Sequence, residues 1–336
     1  MNRFKKRKEG IYMTQKLGIV GIGHVGNHVL TQAMNSELFA EIAVVDSREH
    51  LVTGQMLDQV HATGLPNQNN VTVHTNDYSK LKDADIIIIS ATYVYPPGEI
   101  PGPRQELLEK NVPIFKDVTE KIMEQTTDAI LLWISNPVDT AVYMCSEVFG
   151  YPREKVLGTG TLLDTSRLKY TLGNHYGVSP NSISAYMLGE HGFTALACLS
   201  RASIAGIPYS QLSEHFPDIE PLSLENVSQE IVDSAYDVFN NKSGVTEVAI
   251  AQSAITIARS ILLDEKAIYP VASYAPEGTY GADQSLAISL PSVVGKSGVE
   301  KVFTVSLSEE EEKKMDISVN EILNSIQFGK QVAASE

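Results

Sequence analysis

Cysteine is scarce: Cys145 and Cys198 are the only two in 336 residues, and they form no Cys-x-x-Cys pair. That excludes a disulfide scaffold and predicts two small buried thiols in a reducing cytoplasm. Long apolar runs are missing too. The densest, Ile86-Ile87-Ile88-Ile89, falls far short of the roughly 18 residues a spanning helix needs, so no membrane partner is expected. Positive charge is the third shortage. With 26 Lys+Arg against 41 Asp+Glu, a net charge of −15 argues against broad contact with nucleic acid or anionic membrane. One or two local arginines can still hold an anion inside such a protein. No metal site is expected. The one basic cluster, Arg3, Lys5, Lys6, Arg7 and Lys8, lacks the apolar stretch of a secretory signal. Residues 1–14 therefore read as a disordered basic extension.

What is present is enough apolar material, 43%, to build large cores. The first half alternates short apolar runs with longer amphipathic stretches, the pattern of βαβ units around a parallel sheet. Strands are predicted at 16–20, 42–46, 71–74, 84–90, 129–135 and 155–158, as a doubly wound α/β (Rossmann) sheet that collects ligands at its carboxyl ends. From about residue 159 the rhythm changes to longer helices with strand-like pieces at 182–187, 194–201, 269–275 and 285–293. That predicts an α+β substrate domain. The expected layout is a nucleotide-binding domain over 15–157, a catalytic domain over 158–330 and a tail over 331–336. Near the end, Ser308 and Glu311 form a capping box ahead of the apolar stripe Met315, Val319, Ile322 and Ile326.

The first predicted strand runs directly into Gly21-Ile22-Gly23-His24-Val25-Gly26. Glycines at this spacing permit a tight turn, close approach to a pyrophosphate and close helix packing, with the helix N-terminus facing the anion. A bare Gly-x-Gly-x-x-Gly is a weak signal. Here a strand precedes it, a helical pattern follows, and Asp46 ends the next strand 20 residues beyond Gly26. An acid at that place accepts hydrogen bonds from the adenosine ribose and repels a 2′-phosphate, so the expected cofactor is NAD.

Three motifs follow in order. Ile134-Ser135-Asn136-Pro137-Val138-Asp139 closes a strand; Gly158-Thr159-Gly160-Thr161-Leu162-Leu163-Asp164-Thr165-Ser166-Arg167 opens the second domain; Leu188-Gly189-Glu190-His191-Gly192 comes next. Singly each has a bland explanation, since most of the eight histidines are ordinary and Asp-x-x-Arg is often only an ion pair. Together, with the nucleotide motif upstream, they resemble the lactate/malate dehydrogenase superfamily over roughly residues 15–330. The Gly-Thr-Gly-Thr-Leu-Leu-Asp-Thr-x-Arg wording is most similar to the L-2-hydroxyisocaproate branch. The resemblance implies interconversion of an (S)-2-hydroxy acid and its 2-oxo acid in a homotetramer. His191 would be the proton acceptor and donor, and Asp164 would hold its imidazole. Arg167 would grip the substrate carboxylate with a bidentate fork, and Arg104, after a mobile loop, would polarise the carbonyl. Asn136 and Thr246 would contact the substrate. Val25, Ala91, Asn111, Ser135, Asn136 and Thr159 would join Gly21, Gly23, Gly26 and Asp46 around the cofactor.

The chain departs from that pattern between Ala91 and Arg104. The loop is longer than usual, carries four prolines, and sets Tyr95 where lactate enzymes have glutamine and malate enzymes arginine. No lysine or arginine occurs from 92 to 103. A second substrate carboxylate would lack a partner, which argues against malate. A malate dehydrogenase and a non-catalytic NAD-binding redox sensor are the alternatives. Lys169 and Ser184 stand where the resemblance would need arginine and histidine for fructose 1,6-bisphosphate control, so that regulation is not expected.

Overall fold

The structure is a computed structural model that describes residues 15–66, 68–96, 104–242 and 244–335, with the backbone alone of Phe4–Arg7 and Gly10–Met13. Those two segments pair antiparallel in a small ribbon. The rest of the predicted 1–14 extension lies outside the described residues.

Nine strands form one central sheet. The first six are β1 (Lys16–Val20), β2 (Glu41–Val45), β3 (Thr72–Thr75), β4 (Ile86–Ile89), β5 (Ile130–Trp133) and β6 (Val156–Gly158). They lie parallel in the order β3-β2-β1-β4-β5-β6, the doubly wound order with its switch point between β1 and β4. Isoleucines 86–89 are all wholly buried, as a central parallel strand covered on both faces requires. Helices α1 (His24–Asn35), α2 (Glu49–Ala62), α3 (Arg104–Met123) and α4 (Val138–Tyr143) supply the layers. In α3, Phe115 meets Trp133 of β5 edge-on, ring centroids 5.2 Å apart.

The long strands of the second half do not build a separate sheet; apart from them it forms only a two-stranded and a three-stranded sheet of two-residue strands among the described residues. Strands β7 (Ala267–Ala275), β8 (Leu286–Gly295) and β9 (Gly298–Val302) continue the central one antiparallel, with Ala272 of β7 opposite Gly158 of β6. Strand β9 was not anticipated. Helices α5 (Leu162–Tyr176), α6 (Leu224–Lys242), α7 (Val248–Leu262) and α8 (Glu309–Ala334) pack around it. Helix α8 begins at the expected capping box, where Ser308 Oγ accepts Glu311 N–H at 3.3 Å and Glu311 returns the contact at 2.8 Å.

The strands expected at 182–187 and 194–201 shrink to two-residue pairs, 183–184, 187–188 and 196–197. The reason is local. Met187 donates its N–H to Thr165 Oγ1 at 2.9 Å and accepts Thr161 Oγ1 at 2.6 Å, so helix hydroxyls replace a strand ladder. The apolar run Ile183, Ala185 and Met187 is buried with Leu168 and Leu172 of α5.

Candidate active site

The nucleotide turn sits at the switch point. Gly21 leaves β1 with φ +94°, and a Cβ there would lie 2.6 Å from the Ala91 nitrogen. A Cβ on Gly26 would be only 1.9 Å from Gly21 O, so α1 packs onto the turn only through glycine. Gly23 is different: its nearest neighbour would be Arg48 Nη2 at 3.7 Å, which leaves an open approach. Gly23 also caps α1 with no side-chain bond, so the first-turn N–H donors are not capped by it. Those are the features a pyrophosphate needs. Asp46 follows β2 and accepts Ile22 N–H at 2.7 Å, which ties the turn to the second strand. Arg48 holds the same carboxylate with Nε and Nη2, both at 2.9 Å. Burial would raise the Asp46 carboxyl, but the bonds from Arg48 and the two backbone amides hold it below the usual range.

The candidate chemical centre draws on three segments of the second half. Asp164, in the first turn of α5, is buried and shares its oxygens between His191 Nδ1 at 2.7 Å and Arg167 Nη1 at 2.9 Å. One turn along the helix separates Asp164 from Arg167, so the spacing itself puts them side by side. Arg167 Nη2 also donates to Thr246 Oγ1 at 3.2 Å. The structure thus brings together four sequence-predicted residues from three segments that lie more than 20 positions apart. Burial pushes the Asp164 carboxyl up, yet His191 and Arg167 beside it hold it below the usual carboxylate range.

The strand ends complete the cleft. Ser135 and Pro137 are buried while Asn136 between them is exposed, as a ligand-facing residue should be. Ser135 Oγ donates to Ala91 O at 2.6 Å and joins the ends of β5 and β4. Val25 and Ala91 are half-buried.

Two predicted cofactor residues do not present themselves to a ligand. Asn111 is fully buried, its amide donating to Asn136 O at 2.7 Å and accepting Tyr93 N–H at 2.7 Å. Thr159 is 1% exposed and extends the sheet by donating its N–H to Trp133 O. Both position the cleft backbone and do not line it. Tyr95 packs edge-on to Tyr93 at 5.2 Å, and Lys110 Nζ lies within 4.7 Å of both rings. The backbone of Arg104 opens α3; its side chain and loop 97–103 lie outside the described residues.

Sequence reasoning missed the supports. Asp139 is buried and accepts His191 N–H at 2.8 Å, although it stood inside a motif already singled out. Ser318 of α8 accepts Glu190 N–H at 2.6 Å, and a Cβ on Gly189 would collide with the same hydroxyl. No spacing in the sequence signals a partner that distant. Burial raises the Cys145 thiol to about 12 and that of Cys198 to about 11, so neither is a nucleophile at neutral pH. Among the described residues no cluster could hold a metal ion, and no helix is long and apolar enough to cross a membrane.

Residues 15–158 match lactate/malate dehydrogenase, NAD binding domain, and residues 161–333 match lactate/malate dehydrogenase, alpha/beta C-terminal domain. An L-lactate dehydrogenase of Selenomonas ruminantium is 37% identical over 312 residues, 93% of this chain and 97% of that one. L-lactate dehydrogenase 2 of Clostridium acetobutylicum is 35% identical over 315 residues, 94% and 97% of the two chains. A minor L-lactate dehydrogenase from Enterococcus mundtii superposes with a TM-score of 0.86 at 28% identity, covering 94% of this chain and 98% of that one. A malate dehydrogenase from Cryptosporidium parvum does so with a TM-score of 0.86 at 29% identity, covering 95% and 100%. Such likeness to both kinds of enzyme leaves the substrate to be argued from side chains. Along both halves of its length, the chain belongs to the lactate/malate dehydrogenase family.

Proposed function

We propose that the protein is an NAD-dependent dehydrogenase that interconverts an (S)-2-hydroxy acid and its 2-oxo acid. The observation that carries this reading is the Asp164 carboxylate, shared at 2.7 and 2.9 Å between His191 and Arg167. A base and a carboxylate binder joined in one unit suit a substrate whose hydroxyl and carboxylate sit on neighbouring carbons.

Oxidation removes a proton from O2 while a hydride leaves C2; NAD, when bound, supplies the hydride acceptor. Asp164 keeps a proton on Nδ1 of His191, which makes Nε2 the atom that receives the proton of O2. The same carboxylate stabilises the imidazolium that results. Arg167 has five N–H donors, of which Asp164 and Thr246 engage two, and it presents the rest of its fork to the substrate carboxylate. In reduction Arg104 polarises the 2-oxo group, Asn136 bonds its oxygen, and His191 returns the proton. Gly21, Gly23 and Gly26 would admit the cofactor's pyrophosphate to the start of α1. Asp46 would accept the adenosine ribose hydroxyls in competition with Arg48.

The substrate side chain is larger than a methyl group on this reading. Support comes from the proline-rich, cation-free stretch 92–103 and from Phe193, two residues after His191. Phe193 is exposed and stacks on exposed Tyr236, with ring centroids 5.9 Å apart. That is exposed apolar surface two residues along the chain from His191, of the kind an L-2-hydroxyisocaproate-type enzyme needs. A cytoplasmic homotetramer without fructose 1,6-bisphosphate control belongs to the same proposal. NADH consumption with a panel of 2-oxo acids tests it. Oxidation of NADH with none of them would leave only a nucleotide-binding role.

A further inference from the structure

We propose that Glu247 is a positioning residue for substrate binding: it clasps helix α1 and thereby holds Thr246 against Arg167. The inference rests on Arg167 as the carboxylate binder. It concerns a cluster of charged groups outside the catalytic set.

Helix α1 shows why the clasp exists. Its core face is apolar, with Val29, Leu30 and Ala33 buried. His24, His28 and Gln32, spaced by four, make a polar stripe along one edge. That stripe meets the junction where the chain leaves α6 and enters α7. His24 Nδ1 lies 3.2 Å from Glu247 Oε1, His28 Nε2 lies 3.2 Å from Oε2, and Gln32 Nε2 donates to Val248 O at 3.0 Å. Lys242, at the end of α6, closes the cluster on the same carboxylate. A carboxylate that is 8% exposed needs such partners to stay ionised.

Residues 244–247 form no regular structure, Val245 and Val248 are exposed, and Thr246 is half-buried. Glu247 is the buried member of that segment. One residue before it, Thr246 Oγ1 accepts Arg167 Nη2 at 3.2 Å. A continuous line of contacts therefore runs from α1, which begins at the nucleotide turn, through Glu247, Thr246 and Arg167 to Asp164 and His191. Removing the clasp frees Thr246 to drift, and the guanidinium loses the contact that sets the far side of its fork.

A purely structural role predicts something else. His24 has 85% of its side chain exposed, and exposed pairs add little to stability. If the cluster only joined two halves of the molecule, its loss would lower stability and leave substrate affinity alone.

The test is steady-state kinetics and NADH titration on the full-length Glu247→Gln protein. We expect the KM for a 2-oxo acid to rise about fivefold, with kcat and the NADH Kd within about twofold of the parent, the signature of lost substrate binding. Thr246→Val should raise KM similarly, and the double variant should add little to either single change, because both act on one contact. An unchanged KM, a parallel rise in the NADH Kd, or additive effects in the double variant would overturn the proposal. Should Glu247→Gln not fold, His28→Gln removes one arm of the clasp and is read by the same criteria. Failure of the parent protein to reduce any 2-oxo acid would sink the functional reading instead. Parent turnover with an indifferent Glu247→Gln sinks only the clasp.

Discussion

Asp139 accepts the backbone N–H of His191 at 2.8 Å, while Asp164 takes the ring nitrogen of the same histidine at 2.7 Å. The main chain and the side chain of this histidine are thus held by two aspartates, one from α4 and one from α5. Asp139 also receives the Ser289 hydroxyl of β8 at 3.4 Å. Replacing Asp139 by alanine leaves a buried amide without that acceptor, a cost of about 1–3 kcal/mol. We expect Asp139→Ala to unfold at lower urea and to turn over more slowly, and Asp139→Asn, which keeps an acceptor oxygen, to lie nearer the parent. Parent-like stability in the alanine variant would refute the clamp.

His191→Asn should abolish most turnover and leave NADH binding nearly intact. General acid–base catalysis is worth about 10²–10⁴-fold. Retention of half the parent kcat, at an unchanged NADH Kd by fluorescence titration, would remove His191 from its role.

Asp164→Asn probes both chemistry and pH. Burial opposes ionisation of this carboxyl, but His191 and Arg167 hold it below the usual range. A depressed folded value contributes stability that is fully present above the unfolded pKa, about 3.9, and is lost as pH falls through the folded one. The stability gap between parent and Asp164→Asn should therefore be wide at neutral pH and shrink once the medium is more acidic than about pH 4. Urea unfolding at several pH values measures it, and a gap independent of pH contradicts the assignment. Turnover by the variant should fall as well, since an amide no longer stabilises the imidazolium.

Asp46 should set the cofactor preference. NAD(H) is expected to exceed NADP(H) in kcat/KM, because a 2′-phosphate meets a carboxylate held ionised. In Asp46→Ser, Arg48 loses its partner and the preference should narrow or reverse. Comparable kcat/KM values for both cofactors in the parent protein would disprove the reading.

The substrate panel is the widest test. We expect 2-oxoisocaproate or phenylpyruvate to rival pyruvate in kcat/KM, with oxaloacetate far behind, since burial stabilises a complex by roughly 0.8 kcal/mol per methylene. A steep fall beyond pyruvate would make this a plain lactate dehydrogenase and discredit the loop argument.

Much of this protein is legible in one dimension. The six parallel strands, the glycine turn, Asp46 and the Asp164/Arg167 pair each follow from residues close together in the chain. Strand period, turn chemistry and one helical turn are local properties, so local spacing encodes them. Strand β9 and the short pairs around 183–197 were not legible in this way. In the pairs around 183–197, burial is shared with α5 and backbone bonds go to Thr161 and Thr165, while β9 is held by its antiparallel pairing with β8.

The sequence by itself determined the fold class, the nucleotide turn and the candidates for the reacting side chains, because these depend on residue type at short spacing. Only the tertiary structure decided that Asn111 and Thr159 support the cleft without facing it. It alone placed Asp139 behind His191 and seated Glu247 on the histidines of α1. Those relations join residues from 25 to more than 200 positions apart, and contact at that range is set by how layers pack.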